Sequence, residues 1–249
     1  MSGVATIWRR ELAGLFLSPL AWILFCLTLF YNAFFFLNYL QYVTGGDVNA
    51  SLALVCGGAW PFWYLLMVLA PLLTMRMISE EARSGLLEFL LTAPVGDAAV
   101  VVGKALAATT VLALVWACGP FYALCVHLAG TTPDWGIVLT TWLGSVLVSA
   151  LFCAVGLVAS AASATPLVAA FLAFLADVTL LVSPLLGRTA GGALRRPLRA
   201  ISERVDVVAH FQDSFLTGAL DSAHIVFFVA WTAALLFVAV RLVESRRWR

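Results

Sequence analysis

Charge is the scarcest commodity in this chain. Only 11% of its 249 residues are Asp, Glu, Lys or Arg, while 63% are hydrophobic. That balance excludes a soluble globular domain and predicts an all-α polytopic membrane protein. The few charges nearly cancel to +1, so no overall field attracts nucleic acid, and no nucleic-acid partner is expected. Catalytic signatures are also missing. There is no His-Glu-x-x-His zinc pattern and no Gly-x-Ser-x-Gly elbow. Cys125 and His127 are too few for a metal site. None of the five cysteines, Cys26, Cys56, Cys118, Cys125 and Cys153, forms a Cys-x-x-Cys pair; all lie in apolar runs, which predicts buried packing residues. Residues 96–105 look like a phosphate loop but carry six residues between Gly96 and Gly103, and Ala105 stands where Mg²⁺ coordination needs Ser or Thr. The chain is therefore not expected to hydrolyse ATP itself, nor to hold a cofactor or metal of its own.

What the chain has instead is a series of apolar runs. Residues 7–18, IWRRELAGLFLS, mix Trp8, Leu12, Leu15 and Phe16 with Arg9, Arg10 and Glu11, a pattern suited to an interfacial helix. The apolar run behind it lacks a small-residue cleavage site and is expected to be retained as a membrane span. Spans are predicted at 20–43, 52–75, 98–128, 136–159, 166–186 and 223–240. The uncharged run 135–176 would be about 63 Å long as one helix, twice the hydrocarbon thickness, so it must turn back, at SAASATP (160–166). Pro61 and Pro71 predict kinks in the second span. Asp97 is the expected N-cap of the third, and Lys104, two turns in, is expected to snorkel to the surface. Residues 187–222 form a longer extracytoplasmic segment whose Val205, Val207, Val208, Phe211, Phe215 and Leu216 suggest helices lying in or dipping into the interface.

Six spans put both termini on one side, together with Arg9, Arg10, Arg76, Arg83, Lys104, Arg241, Arg246, Arg247 and Arg249, which predicts that this face is cytoplasmic. Arg188, Arg195, Arg196, Arg199 and Arg204 run against the rule, partly balanced by Glu203, Asp206, Asp213 and Asp221. Asp177 is the one acid inside a predicted span. An intramembrane enzyme would need two converging ionisable groups, and only His127 offers itself as a partner, so a hydrogen bond to another helix is the expected role. Asp177 is also the candidate for a polar point on a membrane pathway.

Charge is organised in one stretch, residues 71–104, PLLTMRMISEEARSGLLEFLLTAPVGDAAVVVGK. A short amphipathic helix is predicted over 79–93, with Leu86, Leu87, Leu90 and Leu91 toward the membrane, Glu80, Glu81, Arg83 and Glu88 toward water, and Pro94 as its stop.

The run 76–81 (RMISEE), the run 85–91 (GLLEFLL), Thr92-Ala93-Pro94 and Gly103-Lys104, together with Arg10-Glu11-Leu12 and Ser18-Pro19, resemble the permease subunits of type-two ABC exporters. The tail, HFQDSFLTGALDSAHIVFF (210–228) and the closing Arg-Arg-Trp, resembles the gliding-motility branch of those permeases. One departure is Leu86, where many members carry Thr. The resemblance implies a coupling helix between spans two and three that sits on a separate cytoplasmic ATPase. Arg76, Glu80, Glu81, Arg83, Gly85, Leu87, Glu88, Leu91 and Pro94 are the residues it marks for that contact. It further implies two ATPase domains that bind ATP and Mg²⁺, a second permease subunit, identical or related, and a place in the bacterial cytoplasmic membrane. A membrane anchor for an extracytoplasmic machine, without solute transport, is the alternative that the tail keeps open.

Overall fold

The computed structural model describes residues 2–84, 96–189 and 204–246, whose regular structure is all helical, without a strand. Helix α1 is Ser2–Leu17 and α2 is Pro19–Asn38, which runs on into a π-helical turn, Tyr39–Val43. Helix α3 (Val48–Ala53) and a second π turn, Leu54–Gly58, lead into α4 (Trp60–Thr74) and the short α5 (Ser79–Arg83). Then come α6 (Asp97–Trp116), α7 (Cys118–Leu128), α8 (Trp135–Ala162), α9 (Pro166–Thr189), α10 (Val207–Phe215) and α11 (Ser222–Arg246). Six stretches are long and apolar enough to cross a membrane: Trp22–Val43, Val48–Arg83, Asp97–Leu128, Trp135–Ala162, Pro166–Leu185 and Ser222–Ser245. The protein is a polytopic helical membrane protein.

Helix α8 is the axis of the bundle. Of its most apolar window 72% is buried, against 17% for the first and last spans, and it packs on α4, α6, α9 and α11. Small residues make this possible. A Cβ at Gly156 would overlap Thr74, and one at Gly144 would lie 2.5 Å from the Phe215 ring, so both positions are places where a neighbour's side chain reaches the α8 backbone. Its hydroxyls bond between elements as well as within the helix: Trp116 Nε1 donates to Ser149 Oγ at 2.9 Å, and Ser145 Oγ donates to the Cys56 carbonyl at 3.0 Å.

Several expectations need correction. The second span is not one helix kinked at Pro61: Gly57 adopts φ 136°, the helix breaks there, and Pro61 sits in the first turn of α4, where its missing N–H costs nothing. The third span is stepped at Ala117, between α6 and α7. Gly96 rather than Asp97 occupies the N-cap, and Asp97 lies in the first helical turn, where its charge still complements the dipole. Cys56, Cys118 and Cys153 are buried, but Cys26 and Cys125 are exposed, because in a membrane an apolar run need not face protein. The segment predicted to be extracytoplasmic does more than lie in the interface. Phe211 and Phe215 of α10 are fully buried, packed among Phe62, Trp63 and Phe228. Thr140 and Thr141 hydroxyls both donate to the Phe215 carbonyl, at 3.0 and 3.1 Å. His210 and His224 face each other across α10 and α11 with their Nδ1 atoms 2.9 Å apart.

The two ends of the bundle are distinct. At one, Asn49 Oδ1 accepts from the Asp134 backbone N–H at 2.8 Å, tying the 44–49 turn to the 130–134 loop. The opposite end carries α1, α5 and the tight 163–165 turn between α8 and α9, which falls where the sequence predicts it.

Candidate functional site

At that end, four charges from three distant parts of the chain meet. Lys104, the only lysine in the sequence, is on α6 and its side chain is 1% exposed. Its Nζ lies 3.1 Å from Glu11 Oε1 and 2.8 Å from Glu81 Oε1. Arg10 Nη2 reaches the same two oxygens, at 2.6 Å and 3.1 Å. Cations and carboxylates alternate around a ring with no net charge, which is what permits an ammonium to lie beneath the surface at all. Burial works against the Arg10 charge, but Glu11 and Glu81 outweigh it and hold its pKa above the ordinary guanidinium value.

The local sequence explains how the partners arrive. Gly103 precedes the lysine, and a Cβ there would lie 2.8 Å from Ile7 Cγ2 and 3.2 Å from the Val4 carbonyl, so glycine lets α1 rest directly on α6. Trp8 Nε1 fixes the register by donating to Thr110 Oγ1 at 3.1 Å. Glu11, one turn on from Ile7, then points at Lys104. On the other side α5 is clamped by Ser160 at the end of α8: its Oγ accepts the backbone N–H groups of Ile78 and Ser79, at 3.2 and 3.1 Å, and donates to the Met75 carbonyl at 3.0 Å. One hydroxyl thus satisfies two of the unpaired donors that every helix start leaves. The ring and this clamp join α5 to α1, α6 and α8.

This geometry corrects two expectations. Lys104 does not snorkel outward; the carboxylates come to it. Glu81 does not face water with its neighbours, because its side chain is only 18% exposed and turned into the ring, with Oε2 buried and without a hydrogen-bond partner among the described residues. Glu80 and Arg83 are exposed as predicted, and Arg76 and Glu80 form a loose surface pair at 3.8 Å, worth a few tenths of a kcal/mol at most. Gly85, Leu87, Glu88, Leu91 and Pro94 lie outside the described residues, as does most of the predicted 79–93 helix.

Asp177 belongs to a different region, eleven residues or roughly 16 Å along α9 from its start. It is fully buried, yet neither carboxylate oxygen has a hydrogen-bond partner among the described residues, so the interhelical bond expected of it is not made. No group of three metal-ligating side chains occurs among the described residues. Sequence reasoning missed Arg10, Glu11, Lys104 and Ser160 as a unit. The available signal was Lys104 itself, a lone cation inside an apolar span, which requires a counter-ion somewhere in the chain.

Comparison with known proteins agrees with the architecture. No curated protein gives a match to the chain. Residues 27–247 match the family described as ABC-2 family transporter protein, a stretch that includes all six spans but for the first few residues, the α5 segment and α10. The chain therefore belongs to the ABC-2 transporter family, as a membrane-spanning permease subunit.

Proposed function

We propose that this permease subunit moves its substrate out across the bacterial cytoplasmic membrane, driven by a separate ATPase subunit that docks on α5. The observation that carries the reading is the pair of ties on α5: a charge ring to α1 and α6, and a serine clamp to α8. A helix so held transmits a push on its outer face to three elements of the membrane domain at once. Arg76, Glu80 and Arg83 make that outer face, and Glu81 is the residue that locks it to the bundle. Two permease chains and two ATPase domains form the working unit, with ATP and Mg²⁺ held by the ATPase. The charged end carrying α1, α5 and both termini faces the cytoplasm. Asp177 supplies the polar point on the membrane pathway, since a buried carboxyl without a partner among the described residues is costly to keep unless it is used. The tail's likeness to gliding-motility permeases supports a second reading, an anchor that hydrolyses ATP through its partner without moving solute.

The test is Arg83→Glu. Arg83 is exposed and outside the charge ring, so reversal leaves the permease inserted with unchanged thermal stability, while ATPase copurification falls by about tenfold, as for loss of one charge-assisted contact. Normal association with the reversed charge removes α5 as the docking element. Solute uptake into vesicles carrying the complex separates an exporter from an anchor, and Asp177→Asn should abolish that uptake without releasing the ATPase.

A further inference from the structure

Beside the charge ring an open cleft of about 650 Å³ separates α1 from the end of α4 and from α5. We infer that it is a binding site for the head group of an aminophospholipid, a membrane lipid whose phosphate carries a primary ammonium.

Position comes first. One wall is the interfacial helix α1, and the apolar part of the lining is Leu15, Leu72, Leu73 and Met77. An amphipathic helix lies at the head-group boundary, so the cleft opens where lipid head groups are and its apolar floor continues toward the acyl chains.

Charge comes second. Arg10, Glu11 and Glu81 also line the cleft, but the ring with Lys104 already balances them. The charges left to a ligand are Arg76 and Glu80, one of each sign, with side chains 63% and 57% exposed and only loosely paired. A guanidinium suits the phosphate and a carboxylate suits a cation. Since these two carry no net charge between them, a dipolar head group finds both its partners, whereas a purely anionic one finds only Arg76 and meets Glu80.

The third observation selects the cation. Glu81 Oε2 is a buried acceptor with no donor among the described residues, and the Glu81 side chain is 18% exposed and lines the cleft, so a turn of the carboxylate about Oε1 presents Oε2 to a ligand. Buried acceptors are rarely left so. A primary ammonium offers three N–H donors, while a quaternary choline offers none. Room is provided by Gly14, where an added Cβ would meet nothing within 4 Å.

Arg76 and Glu80 also belong to the face proposed for the ATPase, so lipid is read on the permease free of that subunit, where loss of lipid retention is distinct from loss of ATPase association. The full-chain permease is delipidated in mild detergent and offered equal amounts of phosphatidylethanolamine, phosphatidylcholine and phosphatidylglycerol with identical acyl chains. Native mass spectrometry then counts the bound lipid. The ethanolamine lipid should be retained about tenfold over the other two, the scale of one charge-assisted hydrogen bond. Gly14→Leu, which fills the cleft from an exposed position and favours the helix, should erase the preference without lowering the melting temperature. Gly14→Ala should keep it. Equal retention of the three lipids overturns the inference, as does a preference that survives Gly14→Leu. So does a polypeptide, in place of lipid, cross-linking to a probe at Gly14→Cys.

Discussion

Among the described residues, four charges meet where the chain's single lysine is buried, and this changes what a substitution at Glu81 means. Were Glu81 a water-facing coupling residue, reversing it would spare the fold and uncouple the complex. Its Oε1 instead lies 2.8 Å from Lys104 Nζ and 3.1 Å from Arg10 Nη2. Glu81→Lys would leave three cations around Glu11, with Lys104 out of reach of water. Breaking a buried pair in this way costs about 3 kcal/mol or more, so the expected outcome is a lower melting temperature and a lower yield of inserted permease, before any effect on coupling. The double variant Glu81→Lys, Lys104→Glu restores the attraction between these two positions and the neutrality of the ring, although it sets like charges beside Glu11 and Arg10, so it should cost less than the two single changes summed, a non-additivity that only direct contact produces. A Glu81→Lys permease as stable as the parent would show that the ring does not form.

Among the elements, α10 is the one whose role changed most between sequence and structure. Its aromatic pair, Phe211 and Phe215, is admitted by glycines on two other elements, Gly57 on the broken second span and Gly144 on α8. Gly57 answers two demands at once: its φ of 136° is open to few residues other than glycine, and an added Cβ would overlap the Phe211 ring. Gly57→Ala is expected to destabilise by about 2–4 kcal/mol, combining backbone strain with overpacking, and to speed hydrogen exchange across Val207–Phe215. Gly45→Ala supplies the contrast. There φ is 61° and an added Cβ meets nothing within 4 Å, so only the strain is felt, about 1–2 kcal/mol, and exchange in α10 stays as it was.

For the molecule as a whole the question is which end faces the cytoplasm. The 130–134 loop is tied to the 44–49 turn at one end, and the 163–165 turn neighbours the clamped α5 at the other. In a functional variant without native cysteines, a probe at Thr132→Cys should therefore react with an impermeant thiol reagent in intact cells, and one at Ala164→Cys only after permeabilisation. Both positions are exposed, so an inverted pattern would reverse the orientation and strip α5 of a cytoplasmic partner.

By itself the sequence determined the six spans, the return turn at 160–166 and the motif between the second and third spans, because each depends on neighbours in the chain: apolar length against bilayer thickness, small and polar residues at a turn, a proline at a helix start. Partnership was decided only in the tertiary structure. Glu11 and Lys104 are 93 residues apart and Arg10 and Glu81 are 71 apart. The sequence around Lys104 states that a buried cation needs a counter-ion, and it is silent on which carboxylate comes. The same holds for Gly57, whose purpose is visible only when Phe211, from a distant part of the chain, is laid against it. Local sequence sets the cost of leaving a group unpaired in an apolar medium; packing of whole helices decides what pairs with it.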